Sequence, residues 1–268
     1  MGDALRSQLH GMWASVAPAW GEHADYADTR GAAVTETLLR LSAPGPGERV
    51  LELACGAGGV GIAAARLVGP TGEVVVSDVA AEMTRIAAER AAALGLGNVR
   101  RLTLDLDDLA QPDQSWDGVL CREGLMFALD PSQAVAAQLG APVPPPGIHG
   151  PFALDDPDRL ARLLAGARLA DVVVTEEPTP LHDDSFDAWW TRTAALAGPL
   201  AKRLAALPED ARRQLRARLA EVARPYQTPT GLDFPGGHPG RRRPPHLAAQ
   251  APQPAWAPPT RSATIRSS

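Results

Sequence analysis

The apolar positions of this chain fall into two periods. Between residues 32 and 41, Val34, Leu38 and Leu41 recur at the spacing of one helix face. Residues 1–45 as a whole read as helical, with Trp13, Trp20 and Tyr26 upstream of that face. A turn cluster, Ala43 to Glu48, then breaks the pattern. Beyond it come short β-branched or apolar runs that predict strands at Arg49–Leu53, Glu73–Ser77, Val99–Leu104 and Trp116–Cys121. Helical stretches at about 60–68 and 80–94 separate the first three. Strands alternating with helices predict a parallel sheet with crossover helices.

After Pro131 the alternation falters. Ser132 to Leu139 predicts a short helix, 141–147 an irregular Pro-rich stretch, and 156–168 a helix with Leu160, Leu163 and Leu164 on one face. Asp171–Glu177 predicts a fifth strand, and 184–224 reads as helical. From Pro235 the last 34 residues hold eight prolines, five arginines and no acid, a composition that predicts disorder. The organisation expected is N-terminal lid helices over 1–45, a core over 46–131, a shortened C-terminal half with a helical substrate-covering segment over 132–234, and the Pro/Arg-rich tail over 235–268.

Composition narrows the chemistry. Two cysteines in 268 residues exclude a disulfide scaffold, and Cys121 is expected to be an inert small hydrophobe. The six histidines lack metal-site spacing, so no metal is expected. A net charge of −5 disfavours nucleic acid as a partner. No run of about 18 apolar residues predicts a membrane span, and no export signal is evident at the start, so the cytoplasm is the expected location.

The chemistry concentrates in Val50–Gly59, VLELACGAGG, with Asp78 and Asp105 downstream. A strand ending in a Gly-rich turn before a helix lets a ligand approach Gly56 and Gly58 closely and offers it free N–H groups. Asp78, 22 residues after Gly56, is placed to accept both hydroxyls of a ribose. The loop departs from the dinucleotide fingerprint, because Ala54 stands at its first glycine. Glu52, just before the loop, would repel a pyrophosphate and suits a ligand with an amino group and a positive centre.

The segments VLELACGAGG, VVVSDVAAEM, LDLDDL and WDGVLCREGLMF, in that order, resemble class I S-adenosylmethionine-dependent methyltransferases, most of all the ubiquinone/menaquinone C-methyltransferase group. The resemblance covers about residues 45–131 and implies an α/β, Rossmann-like parallel sheet with flanking helices. It implies that Glu52 and the Ala54–Gly58 loop hold the methionine part, including Ala54, Gly56 and Gly58. Asp78 would hold the ribose, Val79 and Met83 would flank the adenine, and Asp105 would accept from the adenine amino group with Leu106 beside the ring. Cys121 and Arg122 would close the pocket. The cofactor implied is S-adenosyl-L-methionine and the partner a small-molecule methyl acceptor; no catalytic side chain is assigned. The region of Trp13, Trp20 and Tyr26 corresponds to the family's lid, and that of Trp189 and Trp190 to its substrate-covering insertion.

The resemblance also fails in places. The helix and strand that should follow the fourth strand are missing, so the seven-stranded family fold is expected to be incomplete. Thr228–Pro235 resembles the lead-in to the last strand, yet GGHPGRRRPPHLAAQ follows instead of an apolar run. An internal deletion and a shifted reading frame after Pro235 account for both departures. Sliding of Asp171–Glu177 into the place beside the fourth strand is a further expectation. A cofactor-binding protein without catalysis is the alternative reading, and a nicotinamide-dependent oxidoreductase is disfavoured by Glu52 and Ala54.

Overall fold

A computed structural model describes residues 2–106, 108–109, 111–112, 115–127, 154, 156–166, 172–174, 177–197 and 204–234. Three helices lead: α1 (Gly2–Glu22), α2 (Ala24–Arg30) and α3 (Ala32–Ser42). The α/β unit follows as β1 (Arg49–Leu53), α4 (Gly59–Val68), β2 (Glu73–Asp78), α5 (Ala81–Ala93), β3 (Val99–Thr103) and β4 (Gly118–Cys121). Its strands lie in the order β3-β2-β1-β4, all parallel. The predicted strands thus form, β2 one residue longer, β3 one shorter and β4 two shorter at its start, with β1 and β2 buried and β3 an exposed edge strand among the described residues.

Alternation along β1 sorts its side chains between two layers. Val50 joins Val74, Val76, Val60, Ala64, Val68 and Leu38 on the side covered by α3 and α4. Leu51 and Leu53 join Val75 on the other side, with Leu104, Leu106, Trp116 and Cys121 packed around them. By the same parity Glu52 lies on the α4 side, two residues from Val50, and is 2% exposed. Chain direction puts the C-terminal ends of all four strands on one edge of the sheet, which gathers the loop after β1, Asp78, Asp105 and Arg122 there.

The C-terminal half holds α6 (Pro157–Gly166), β5 (Leu181–Asp183), α7 (Phe186–Leu196), α8 (Glu209–Ala223), β6 (Gln227–Thr228) and β7 (Gly231–Phe234). Leu160 and Leu164 are buried on α6 as their spacing predicts. β5, β7 and β6 form a separate antiparallel sheet. On it Trp189 packs between Phe186 and Phe234, at ring-centroid distances of 5.5 and 5.6 Å.

Within Asp171–Glu177 the described residues are 172–174 and 177, of which Val173 takes a bridge position. Gln227–Phe234 forms the β6–β7 hairpin, and the place of a last strand after Pro235 lies outside the described residues. The predicted stretch 132–147 and the tail 235–268 lie outside the described residues.

Candidate functional site

The loop after β1 leaves the strand with Ala54 at φ 51° and turns through Gly56 at φ 51° and Gly58 at φ 85°. The Asp78 carboxylate fastens it. One oxygen accepts from the Gly56 N–H at 3.0 Å and the other from the Ala80 N–H at 3.0 Å. Asp78 is 8% exposed, and burial raises its pKa against the pull of those N–H groups. Each oxygen keeps a lone pair beyond the backbone contact. The Leu104 N–H donates to the Asp78 carbonyl at 3.0 Å, which carries the chain from β3 directly past β2 and sets Asp105 beside it. Asp105 then begins a tight turn closed by the Asp108 N–H on its own carbonyl.

Glu52 sits beneath this loop. Its Oε2 accepts from the Gly61 N–H in the first turn of α4 at 2.8 Å. Burial pushes its pKa up to about 8, with Arg122 pulling the other way. Gly61 is required there, since a methyl group would overlap both Glu52 and Val76.

Arg122, just past β4, is 12% exposed and donates to Thr35 Oγ1 at 2.7 Å. Its other terminal nitrogen lies 3.9 Å from Asp28 on α2. Asp28 also receives Arg90 from α5 at 2.7 Å, and Arg90 donates in turn to the Ala57 carbonyl in the loop at 2.6 Å. The Asp28 carboxylate covers Gly59, the first residue of α4, so closely that any Cβ there would overlap it. Sequence reasoning missed Asp28 and Arg90. The signal available was the pair Asp25 and Asp28, three apart on one short helix, both of which meet Arg90.

Helix α1 lies over the strand-end edge. Val16 and Ala17 bury Met83 and Ala80, the Trp20 ring comes to 3.6 Å of where a Gly56 Cβ would stand, and Trp13 meets Phe127 edge-on. His10 Nε2 lies 3.4 Å from the Asp105 carboxylate. Of the expected ligand contacts, Met83 is 2% exposed under this helix, Val79 is half-buried, and Leu106 packs with the Leu51 layer. Cys121 accepts N–H groups from Gly124 and Leu125, and burial pushes its pKa up to about 12; burial also raises Cys55.

A second, smaller cluster joins the halves of the chain. The Asp183 side chain, fully buried, receives the Tyr26 hydroxyl at 3.3 Å and an ion pair from Arg192, whose guanidinium stacks 3.8 Å over the Tyr26 ring. Trp20 Nε1 donates to the Leu196 carbonyl at 3.1 Å. Among the described residues no three metal-ligating side chains converge, and no helix is long and apolar enough to cross a membrane.

The set of groups at this edge suits a nucleoside joined to an amino acid. Acids stand at the ends of β2 and beyond β3, and charges of both signs surround the start of α4. A family model described as a methyltransferase domain matches residues 50–143. The ubiquinone/menaquinone biosynthesis C-methyltransferase of Stutzerimonas stutzeri is 35% identical over 102 residues, covering 38% of this chain and 40% of that protein. Nocamycin O-methyltransferase of Saccharothrix syringae is 40% identical over 129 residues, covering 43% of this chain and 45% of its own length. A solved S-adenosylmethionine-dependent methyltransferase from Aquifex aeolicus shares 31% identity over 32% of this chain and 46% of its own, with a TM-score of 0.30. The chain thus spans less than half the length of each of these relatives. Residues 50–143, which hold most of the α/β unit, are thus similar to a methyltransferase domain.

Proposed function

We propose that the protein transfers the methyl group of S-adenosylmethionine to a small molecule. The observation that carries this reading is the Asp78 carboxylate, which ties the glycine loop to the end of β2 while Asp105 is delivered beside it. Asp78 would use its remaining lone pairs on the two ribose hydroxyls. Asp105 would accept from the adenine amino group, with Leu106, Val79 and Met83 as apolar neighbours. The Ala54–Gly58 loop would carry the methionine part above Glu52, and Cys121 and Arg122 would bound it at the end of β4.

When bound, the cofactor would supply an electrophilic methyl carbon on a positive sulfur, and the departing neutral thioether would keep the carbon–sulfur electron pair. This chain's residues bind and orient, and the covering of α1 excludes water. No metal is needed for that displacement. The Pro/Arg-rich tail has no assigned role, and the cytoplasm is the compartment proposed.

Titration calorimetry with S-adenosylmethionine tests the binding step. Transfer of label from methyl-tritiated cofactor to a panel of phenols and quinols tests the chemistry. Binding together with transfer to any member supports the reading; no binding overturns it. Binding without transfer is the second reading, a cofactor-binding protein without catalysis.

A further inference from the structure

We infer that Tyr26, Asp183 and Arg192 form a latch: through them the C-terminal half holds α1 and α2 closed over the strand-end edge, and their release admits the cofactor and lets its product leave. The inference rests on the S-adenosylmethionine reading and adds to it the motion that opens the site.

The site must open to be loaded. Asp78 is 8% exposed and Met83 2%. Val16 and Ala17 of α1 close over Met83 and Ala80, and the Trp20 ring stands 3.6 Å from the place of a Gly56 Cβ. A nucleoside cannot reach both Asp78 and Met83 while α1 lies there.

The outer side of these helices is held by α7 and β5. Trp20 Nε1 donates to the Leu196 carbonyl at the end of α7, at 3.1 Å. The ring that lies on the glycine loop is therefore also tied to the C-terminal half. On α2, the Tyr26 hydroxyl donates to Asp183 Oδ2 at 3.3 Å, across 157 positions of the chain. Arg192 pairs with Asp183 Oδ1, and its guanidinium lies 3.8 Å over the Tyr26 ring. Both carboxylate oxygens are thus engaged, one by the leading helices and one by α7.

The chemistry of this joint suits a latch better than a glue. A buried ion pair stabilises little over apolar side chains of the same volume, because both charges lose water. An apolar contact can also slip by degrees. A carboxylate out of solvent is either fully paired or must return to water, since a half-made pair strands a charge. Asp183, fully buried, and Arg192, 18% exposed, therefore dock or release together.

The alternative is a staple that adds stability and gates nothing. Binding kinetics of S-adenosylhomocysteine on the full chain, read by surface plasmon resonance, separate the two roles. A latch favours the closed lid with and without ligand, so weakening it speeds entry and exit alike and leaves Kd nearly fixed. The expected result is that Asp183→Asn raises kon and koff each about 10-fold or more and Tyr26→Phe each about three- to fivefold, with Kd within about twofold. A retained Kd also shows that a variant is folded. Tyr26→Phe keeps the ring under Arg192 and carries the test alone if Asp183→Asn does not fold. Rates that stay unchanged or fall assign the three residues to a staple and overturn the inference. So does a rise in koff alone with Kd weakened in proportion. If the unaltered protein does not bind S-adenosylhomocysteine, the cofactor reading falls and the inference with it; if it binds and the variants keep its rates, only the inference falls.

Discussion

Glu52 allows the electrostatics of the site to be tested through stability, without any ligand. Its ordinary pKa of 4.5 is raised to about 8 by burial, so the folded chain holds a proton there that the unfolded chain releases above pH 4.5. Where the native state binds more protons, stability falls as pH rises. The loss begins near pH 4.5, runs at up to about 1.4 kcal/mol per pH unit for one proton, and levels off near pH 8. Between pH 5 and 8 it reaches at most about 4 kcal/mol, a large fraction of a domain's net stability. Glu52→Gln removes the proton exchange while its amide oxygen still accepts from the Gly61 N–H. Urea unfolding followed by tryptophan fluorescence at pH 5, 6.5 and 8 reads both proteins. The unaltered chain loses stability over this range, and the variant's curve is flatter by nearly one proton. A slope remains in the variant, because burial raises Asp78 in the same direction. Parallel curves for the two proteins would mean that Glu52 is ionised in the folded state, and the reasoning about its neutrality collapses.

Other features make separate tests. Gly58 combines φ 85° with an Ala87 Cβ 2.5 Å from where its own Cβ would stand, so Gly58→Ala should cost about 2–4 kcal/mol in urea unfolding. A loss below about 1 kcal/mol refutes that packing. Asp183→Ala strips the charge partner from Arg192, which is 18% exposed, and should destabilise by about 3 kcal/mol, whereas Tyr26→Phe should cost about 1 kcal/mol or less. Equal costs for the two, measured by calorimetric melting, argue against the ion pair as the main tie. Both cysteines should react with iodoacetamide at pH 7.5 only after urea unfolding, because burial holds each as a thiol. Rapid labelling of the folded chain by mass spectrometry contradicts this.

The sheet was legible because its two central strands, β1 and β2, are buried runs between turn residues. VLEL, VVVSD and GVLC carry little besides apolar and β-branched residues, and a parallel strand covered on both faces needs that composition. The strand-end edge was legible for the same reason: chain direction alone places Asp78, Asp105 and Arg122 at one end. Of Asp171–Glu177, which carries the same kind of residues, the described part shows a bridge at Val173. The β6–β7 hairpin went unread because Pro229-Thr230-Gly231 looks like the opening of a loop as much as its closing turn.

Side chains that cross between elements were the least legible, and Glu52 shows where the signal was available and went unused. Period-2 alternation from Val50 puts Glu52 on the helix side of the sheet, facing the first turn of α4 and not the open edge. That parity is written in four letters, VLEL. Once it is followed, the small residue at Gly61 has a reason, since the helix must come close enough for its N–H to meet a buried carboxyl. Burial raises the pKa of a carboxyl so placed. Asp28 reaches the loop only because α2 folds back over α4 and Arg90 bridges from α5, three elements separated by up to 62 positions in the chain. The ion pairs at the start of α4 are therefore a property of how the leading helices dock on α4 and α5.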